Sequence, residues 1–193
     1  MLSGRPIVPW VPSKAEVVEA VLRVLRPKQG DVFLDLGCGD GRIAVAVARE
    51  YGVYSICVEL KEGLIERARR RADREGVSHL VEVVQSDLYE YVLKRVTILY
   101  MYLLTSANYT LREKLEEELK PGAIILSLDF PVPGWQPVCV LQLPCSWQRY
   151  LYVYVKGYSE RPRRGGIDLE VLVEGRLAVE ASASCSGGYV EYP

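Results

Sequence analysis

The sequence predicts an α/β fold: a doubly wound, mostly parallel sheet of seven strands, helices on both faces, and a C-terminal antiparallel hairpin. Three observations predict it. Short apolar runs alternate with amphipathic helical patterns as far as Leu128, the rhythm of parallel strands joined by crossover helices. One of these runs, Val32 to Leu36, enters a loop with glycines at 37, 39 and 41 and passes directly into the apolar pattern Ile43 to Ala48. That is a strand, a tight turn and a buried helix, with residues lacking a Cβ where the backbone must take positive φ or let a ligand approach. Beyond Gly134 the helices stop. Val138 to Leu143 and Tyr150 to Lys156 are separated by little more than Pro144-Cys145-Ser146-Trp147, as in an antiparallel hairpin.

Composition bounds the function classes. A chain of 193 residues builds one well-cored domain, and 49% apolar with 25% charged residues is the balance of a globular protein in water. A net charge of -1 gives no field that seeks polyanions, so nucleic acid is not an expected partner. No apolar run reaches the roughly 18 residues of a membrane span, and Met1 to Pro6 shows no signal-peptide core. The expectation is a cytoplasmic monomer without membrane insertion. The five cysteines (38, 57, 139, 145, 185) have no CxxC spacing and His79 is the only histidine, so no metal site is expected. Cys139 and Cys145 fall on the two sides of the hairpin, as neighbouring thiols or as a disulfide. Asn108 is the only asparagine and arginine outnumbers lysine, a composition that suits a thermophile.

The elements follow in order. Ile7 to Pro12 is punctuated by proline and runs extended. Ser13 and Glu16 have the spacing of a capping box, opening a helix on Val17, Val18, Val21, Leu22, Val24 and Leu25 that Pro27 and Gly30 stop. Trp10, just upstream, reads as a hydrophobic anchor or as a lid over the glycine loop. After the loop helix comes a strand, Val53 to Leu60, that carries Glu59 near its end. The next helix, Lys61 to Glu75, buries Leu64, Ile65, Ala68 and Ala72. Its outer face carries Arg67, Arg69, Arg70, Arg71 and Arg74, either a basic groove for RNA or a solvated face paired with Glu62, Glu66 and Asp73. Strands follow at Val81 to Val84, Val96 to Tyr102 and Ala123 to Leu128. A second capping box at Thr110 and Glu113 opens the last helix, which Pro121-Gly122 ends. After a break at Glu160 to Gly166, Ile167 to Val173 and Arg176 to Ala183 read as a further hairpin. Residues 1–157 form the main domain, with 1–30 as its extended segment and capping helix, and 158–193 are a β-rich extension packed on it.

The chemistry gathers at the strand ends, where open α/β sheets bind ligands. Gly37, Cys38 and Gly39 end the first strand, Glu59 and Leu60 the second, and Asp87 and Leu88 follow the third. A carboxylate about twenty residues past a glycine loop is placed for ribose hydroxyls, and Asp87 for an exocyclic amine. A dinucleotide fingerprint needs a third glycine at position 42, which is Arg42, and no Gly-Lys-Ser/Thr is present. What stands is D-x-G-x-G-x-G, from Asp35 to Gly41. That spacing, with Glu59 and Asp87 in register, resembles motif I and the following adenosine contacts of the class I S-adenosyl-L-methionine (AdoMet) methyltransferases.

Within that Rossmann-like class, a narrower resemblance rests on Val8-Pro9-Trp10-Val11-Pro12-Ser13, Leu103-Leu104-Thr105-Ser106-Ala107-Asn108, and Asp129-Phe130 with Gly134-Trp135. Over residues 7 to 157 the chain is similar to the crenarchaeal broad-specificity protein-lysine methyltransferases and their mitochondrial relatives. The resemblance implies AdoMet as cofactor and exposed lysines of proteins as substrate. It implies cofactor contacts from Trp10 and Ser13 as well as from Asp35, Gly37, Cys38, Gly39, Glu59, Leu60, Asp87 and Leu88. The chain lacks the Asp/Asn-Pro-Pro-Tyr/Phe motif usual in nucleic-acid amino-methyltransferases, which counts against RNA. Tyr102, Asp129 and Phe130 are the candidates for the substrate mouth, and no residue is assigned as general base. Trp10 stands where the family has tyrosine, and Leu128 where histidine is common. Methylation of RNA or of a small molecule, and a non-catalytic AdoMet-binding scaffold, are the alternatives.

Overall fold

The structure, a computed structural model, describes residues 5, 6, 8–143, 147–160 and 175–177. Among these, seven strands form one sheet in the order β3-β2-β1-β4-β5-β7-β6. The parallel part comprises β1 (Val32–Leu36), β2 (Tyr54–Glu59), β3 (Val81–Gln85), β4 (Ile98–Met101) and β5 (Ile124–Leu128). β7 (Tyr150–Val155) runs antiparallel to both β5 and β6 (Cys139–Gln142), so the predicted hairpin completes the sheet edge.

The central strands read as nearly unbroken apolar runs because both faces are covered. Phe33, Ile98, Tyr100, Ile124 and Leu126 pack into the layer that holds α1 (Ala15–Val24) and α2 (Arg42–Tyr51). Leu34, Leu36, Leu99, Met101 and Ile125 pack into the opposite layer, with α4 (Thr105–Glu118) and the segment around Leu93 and Val96. α3 (Glu62–Arg74) joins the first layer through Ala68. The chain leaves β1 toward β2 and β3 on one side and returns to β4 on the other. The resulting switch point opens a crevice at the strand carboxyl ends.

Both predicted capping boxes are absent. The residue capping α1 is Lys14, without a side-chain bond, while the Ser13 hydroxyl lies 3.1 Å from the Tyr100 hydroxyl across the crevice. Thr110 sits inside α4, which begins at Thr105, and its hydroxyl donates to the Ser106 carbonyl at 3.0 Å. The earlier start is set by packing: Ala107 and Asn108 are fully buried, so the first turn is held from outside the helix.

The hairpin expected over 167–173 and 176–183 lies outside the described residues except for 176 and 177. Leu177 bridges Leu25, and the Arg26 N–H donates to the Arg176 carbonyl at 2.7 Å. The Arg176 guanidinium donates to the Gly122 carbonyl at 2.7 Å and lies 3.5 Å from Asp31. These contacts fall at the sheet's N-terminal edge, opposite the crevice.

Candidate active site

The crevice is organised by the turn between β1 and α2. Gly37, Gly39 and Gly41 all have positive φ. At Gly41 space matters too, because a Cβ would stand 2.8 Å from the Ala68 Cβ, and the missing side chain lets α3 close against the loop. The loop's N–H groups are turned inward. Those of Gly37 and Cys38 donate to the Val58 carbonyl, that of Gly41 to the Cys38 carbonyl, and that of Gly39 to Glu59 Oε2 at 3.0 Å. A phosphate-binding loop needs such groups open, and here these four are spent. Behind the loop, Cys38 is joined to Cys57 of β2 by a disulfide, with a Cα–Cα distance of 5.3 Å. Cys38 can therefore offer a ligand only its backbone. This bond comes in addition to the Cys139–Cys145 pair considered from sequence: Cys139 is itself disulfide-bonded, and Cys145 lies outside the described residues. A loop residue and a strand residue nineteen positions apart carry no short-range spacing signal.

Carboxylates ring the crevice. Asp35 is buried, and burial pushes its carboxyl up to about 8; the Ala44 N–H opposes this, while Asp40 and Glu59 add to it. Glu59 Oε1 accepts the N–H groups of Leu60 and Lys61, each at 2.9 Å. With Gly39 on Oε2, three of about four acceptor positions are used and one on Oε2 remains, enough for one hydroxyl. Asp87 accepts the Tyr89 N–H at 3.0 Å and has the Arg5 guanidinium 3.5 Å away. Asp40 is committed elsewhere: burial raises its carboxyl, but Arg42 and Arg71 outweigh this and hold it below its ordinary value. A site with spent N–H groups and carboxylates at three strand ends suits a nucleoside bearing positive charge, not a phosphate.

The N-terminal segment arches over this ring. The Tyr89 hydroxyl donates to the Pro6 carbonyl at 3.2 Å, and Arg5 pairs with Glu90. The Trp10 indole lies against Gly39 so closely that a methyl there would collide with it, and Arg67 stacks 5.9 Å above the indole. The geometry is that of a cover over the loop. Arg42 reaches back to donate to the Ser13 carbonyl at 2.6 Å, anchoring the far end. The cavity beneath this segment measures about 400 Å³. Of the ten residues named from sequence as cofactor contacts, all but Gly39 line it, and Gly39 sits beneath Trp10. Leu88, with Leu103, closes over Gly37, while Leu60 is exposed at the rim.

The predicted mouth is only partly in the cavity. Tyr102 lines it, whereas Phe130 stacks on Tyr102 with ring centroids 6.1 Å apart, and Asp129 stands beside it. Asp129 is the one described non-glycine residue with positive φ (58°). Its Oδ1 accepts the N–H groups of Arg149 and Tyr150 at 2.6 and 3.1 Å. Burial raises the Tyr102 phenol, a bond from Gln148 lowers it, and the Asp129 carboxylate raises it. Asn108, fully buried, fixes this corner: its Nδ2 donates to the Phe130 carbonyl at 2.9 Å and lies 3.2 Å from that of Pro131. Gln148, Tyr100 and Arg42 are site residues that the sequence did not signal. A single buried glutamine in a hairpin turn leaves no pattern to read.

The arginines of α3 divide. Arg71 turns in to Asp40, Arg70 pairs with Glu66 and Arg74 lies 3.9 Å from Glu75. No helix among the described residues is long and apolar enough to cross a membrane.

Residues 35–139 match the model of the ANTKMT methyltransferase domain. A protein-lysine N-methyltransferase of Saccharolobus islandicus (strain REY15A) is 35% identical over 158 residues, 81% of this chain and 98% of that protein. The adenine nucleotide translocase lysine N-methyltransferase of Mus musculus is 39% identical over 135 residues, covering 69% of this chain and 58% of that one. The chain thus spans little more than half of that mouse relative. Among solved structures, an RNA methyltransferase from Salinibacter ruber in complex with S-adenosyl-L-homocysteine aligns with a TM-score of 0.72 at 35% identity. The match covers 77% of this chain and 95% of that one.

Proposed function

The chain belongs to the ANTKMT methyltransferase family and is an AdoMet-dependent methyltransferase, and from that premise we propose that it methylates lysine amines of protein substrates. The observation that carries the lysine reading is the match to the Saccharolobus protein-lysine N-methyltransferase along 98% of that protein's length. We read the enzyme as a cytoplasmic monomer that takes exposed lysines and needs no nucleic acid.

In this reading Glu59 and Asp87 hold the nucleoside, with Leu60 and Leu88 flanking it. The backbone of Gly37, Cys38 and Gly39 shapes the floor, Asp35 faces the amino-acid end, and Trp10 and Ser13 cover it. When bound, AdoMet supplies a methyl group already activated on its sulfonium, so the chain's own task is alignment and exclusion of water. Asp129 draws the lysine ammonium to the mouth. The rings of Tyr102 and Phe130 then desolvate it, which favours the neutral, nucleophilic amine. Water at the open rim receives the proton, and no side chain serves as general base.

A second reading, methylation of RNA, is favoured by one observation, the likeness to the Salinibacter RNA methyltransferase. The pairing of Arg70 and Arg71 with acidic partners weighs against a basic groove on α3. One experiment separates the two. The purified protein is incubated with methyl-labelled AdoMet and a cell lysate, half of it treated with RNase, and the labelled material is hydrolysed and identified by mass spectrometry. Methylated lysine insensitive to RNase is the expected product. Label lost with RNase, or found only on arginine, overturns the lysine reading.

A further inference from the structure

Two arginines share one carboxylate on the wall of the cavity. Arg42 donates from Nε to Asp40 Oδ1 at 2.9 Å and from Nη2 to Oδ2 at 2.7 Å, and Arg71 of α3 donates from Nη2 to the same Oδ2 at 2.8 Å. These three ionised groups together carry one surplus positive charge. Arg42 is the arginine of the two that lines the cavity. A guanidinium has five N–H groups; Asp40 takes two of them and the Ser13 carbonyl a third, at 2.6 Å, so two remain.

Two hydroxyls join Arg42 in the cavity wall. Ser13 Oγ and Tyr100 Oη lie 3.1 Å apart, both residues are buried, and both line the same cavity. Whichever of them donates, one O–H of the pair is left unspent among the described residues. Burial pushes the Tyr100 phenol up, so it keeps its proton. Tyr100 is also the register partner of Asp35 on the neighbouring strand, so the two side chains leave the same face of the sheet side by side.

The sheet order spreads these groups along the crevice. Asp87 and Glu59 stand at the ends of β3 and β2, Asp35 lies on β1, and Tyr100 lies on β4, the next strand. Two other cations line the cavity, and both belong to its β3–β2 end: Arg5 lies 3.5 Å from Asp87 and pairs with Glu90, while Lys61 follows Glu59 closely in the chain. The β1–β4 end thus sets a carboxylate beside a guanidinium and two hydroxyls. That is the complement of an α-amino acid, whose ammonium and carboxylate branch from a single carbon. Without such a corner a ligand carboxylate would meet only the like charges of Asp35, Glu59 and Asp87.

We propose that Arg42, Tyr100 and Ser13 form the subsite for the carboxylate of AdoMet, beside Asp35, which takes the ammonium. This rests on the reading in which Asp35 faces the amino-acid end of the cofactor, and not on the choice between lysine and RNA. Ser13 belongs to the covering segment and Arg42 to the glycine-loop side, so the carboxylate fastens the two together. The site thereby distinguishes the full cofactor from one that lacks only this group.

The test compares AdoMet with decarboxylated AdoMet, which keeps the sulfonium and the ammonium, by calorimetry on the purified protein and its variants. The wild-type protein should bind AdoMet at least about 10-fold more tightly. Tyr100→Phe and Arg42→Gln should each weaken AdoMet about 5- to 30-fold and change the decarboxylated ligand less than about 2-fold. Arg42→Gln also releases Asp40 and the Ser13 carbonyl, and Tyr100→Phe, which loses a single hydroxyl, carries the test alone if that variant does not fold. A wild-type protein that binds the two ligands alike, or variants that lose both by the same factor, overturn the proposal. Asp35→Asn should weaken both ligands equally, since both keep the ammonium. If it weakens neither, the placement of Asp35 fails, while the ratio between the ligands still decides the carboxylate corner.

Discussion

Glu59 Oε2 accepts the Gly39 N–H at 3.0 Å, binding the end of β2 to the middle of the glycine loop. One carboxylate thus shapes the loop and keeps one acceptor position for the ligand. Glu59→Ala should weaken AdoMet binding by about 1–3 kcal/mol, the usual cost of a lost bond to a charged group. Because the same change also orphans the Gly39, Leu60 and Lys61 N–H groups, Glu59→Gln, which retains an acceptor oxygen, should recover the melting temperature more than the affinity. Calorimetry beside thermal melts separates the two, and equal recovery of both would count against a ligand contact.

Asp35 predicts a pH dependence. Its carboxyl titrates near 8 in the folded protein against an ordinary value of 3.8. The folded state therefore holds an extra proton between those values, and stability falls as pH rises through that window. The ligand-free protein should melt at lower temperature at pH 8 than at pH 5, and Asp35→Asn should flatten the slope. A cationic ligand beside Asp35 favours its ionised form, so AdoMet binding should release protons near neutrality. Calorimetry in buffers of different ionisation enthalpy detects that release, and its absence would remove Asp35 from the cationic end.

Two glycines with positive φ should respond differently to alanine. At Gly30 nothing lies within 4 Å of a new Cβ, and at Gly41 the Ala68 Cβ is 2.8 Å away. Gly30→Ala should cost about 1 kcal/mol of backbone strain alone. Gly41→Ala adds displacement of α3, and the total should reach about 2–4 kcal/mol. Denaturant melts with unchanged m-values give both numbers.

Asn108 predicts a charge effect. Its Nδ2 sits among the oxygens of Ser127, Phe130 and Pro131, while Oδ1 has no partner among the described residues. Asn108→Asp would set an anion against those oxygens and should cost about 3 kcal/mol or more. Asn108→Leu should cost less, because the Ser127 hydroxyl still donates to the Phe130 carbonyl at 2.6 Å. In Asn108→Leu the KM for protein substrate should rise more than the AdoMet dissociation constant. The reverse order would argue against a role at the mouth.

The cofactor half of this site was legible because it lies on consecutive strand ends. Apolar runs mark the strands, and Asp35, Glu59 and Asp87 fall where each run stops. Of the candidate mouth, Tyr102, Asp129 and Phe130 are legible just past the ends of β4 and β5, but the groups that hold them are not, because those contacts are assembled by burial across distant segments. Nothing near Ser13 indicates that its hydroxyl meets Tyr100 rather than its own helix, since a partner 87 residues away leaves no local spacing. Thr110 misled for the same reason, as the true start of α4 is set by what Ala107 and Asn108 pack against. Gln148 is decided wholly by tertiary contacts with Lys14 and Pro12.

Cys38 and Cys57 hold each other inside the protein, the first nearly and the second wholly buried. Exchange of either alone leaves a lone thiol pressed between the loop and β2. The two positions are therefore expected to change as a unit: a relative that lacks cysteine at one of them should lack it at the other.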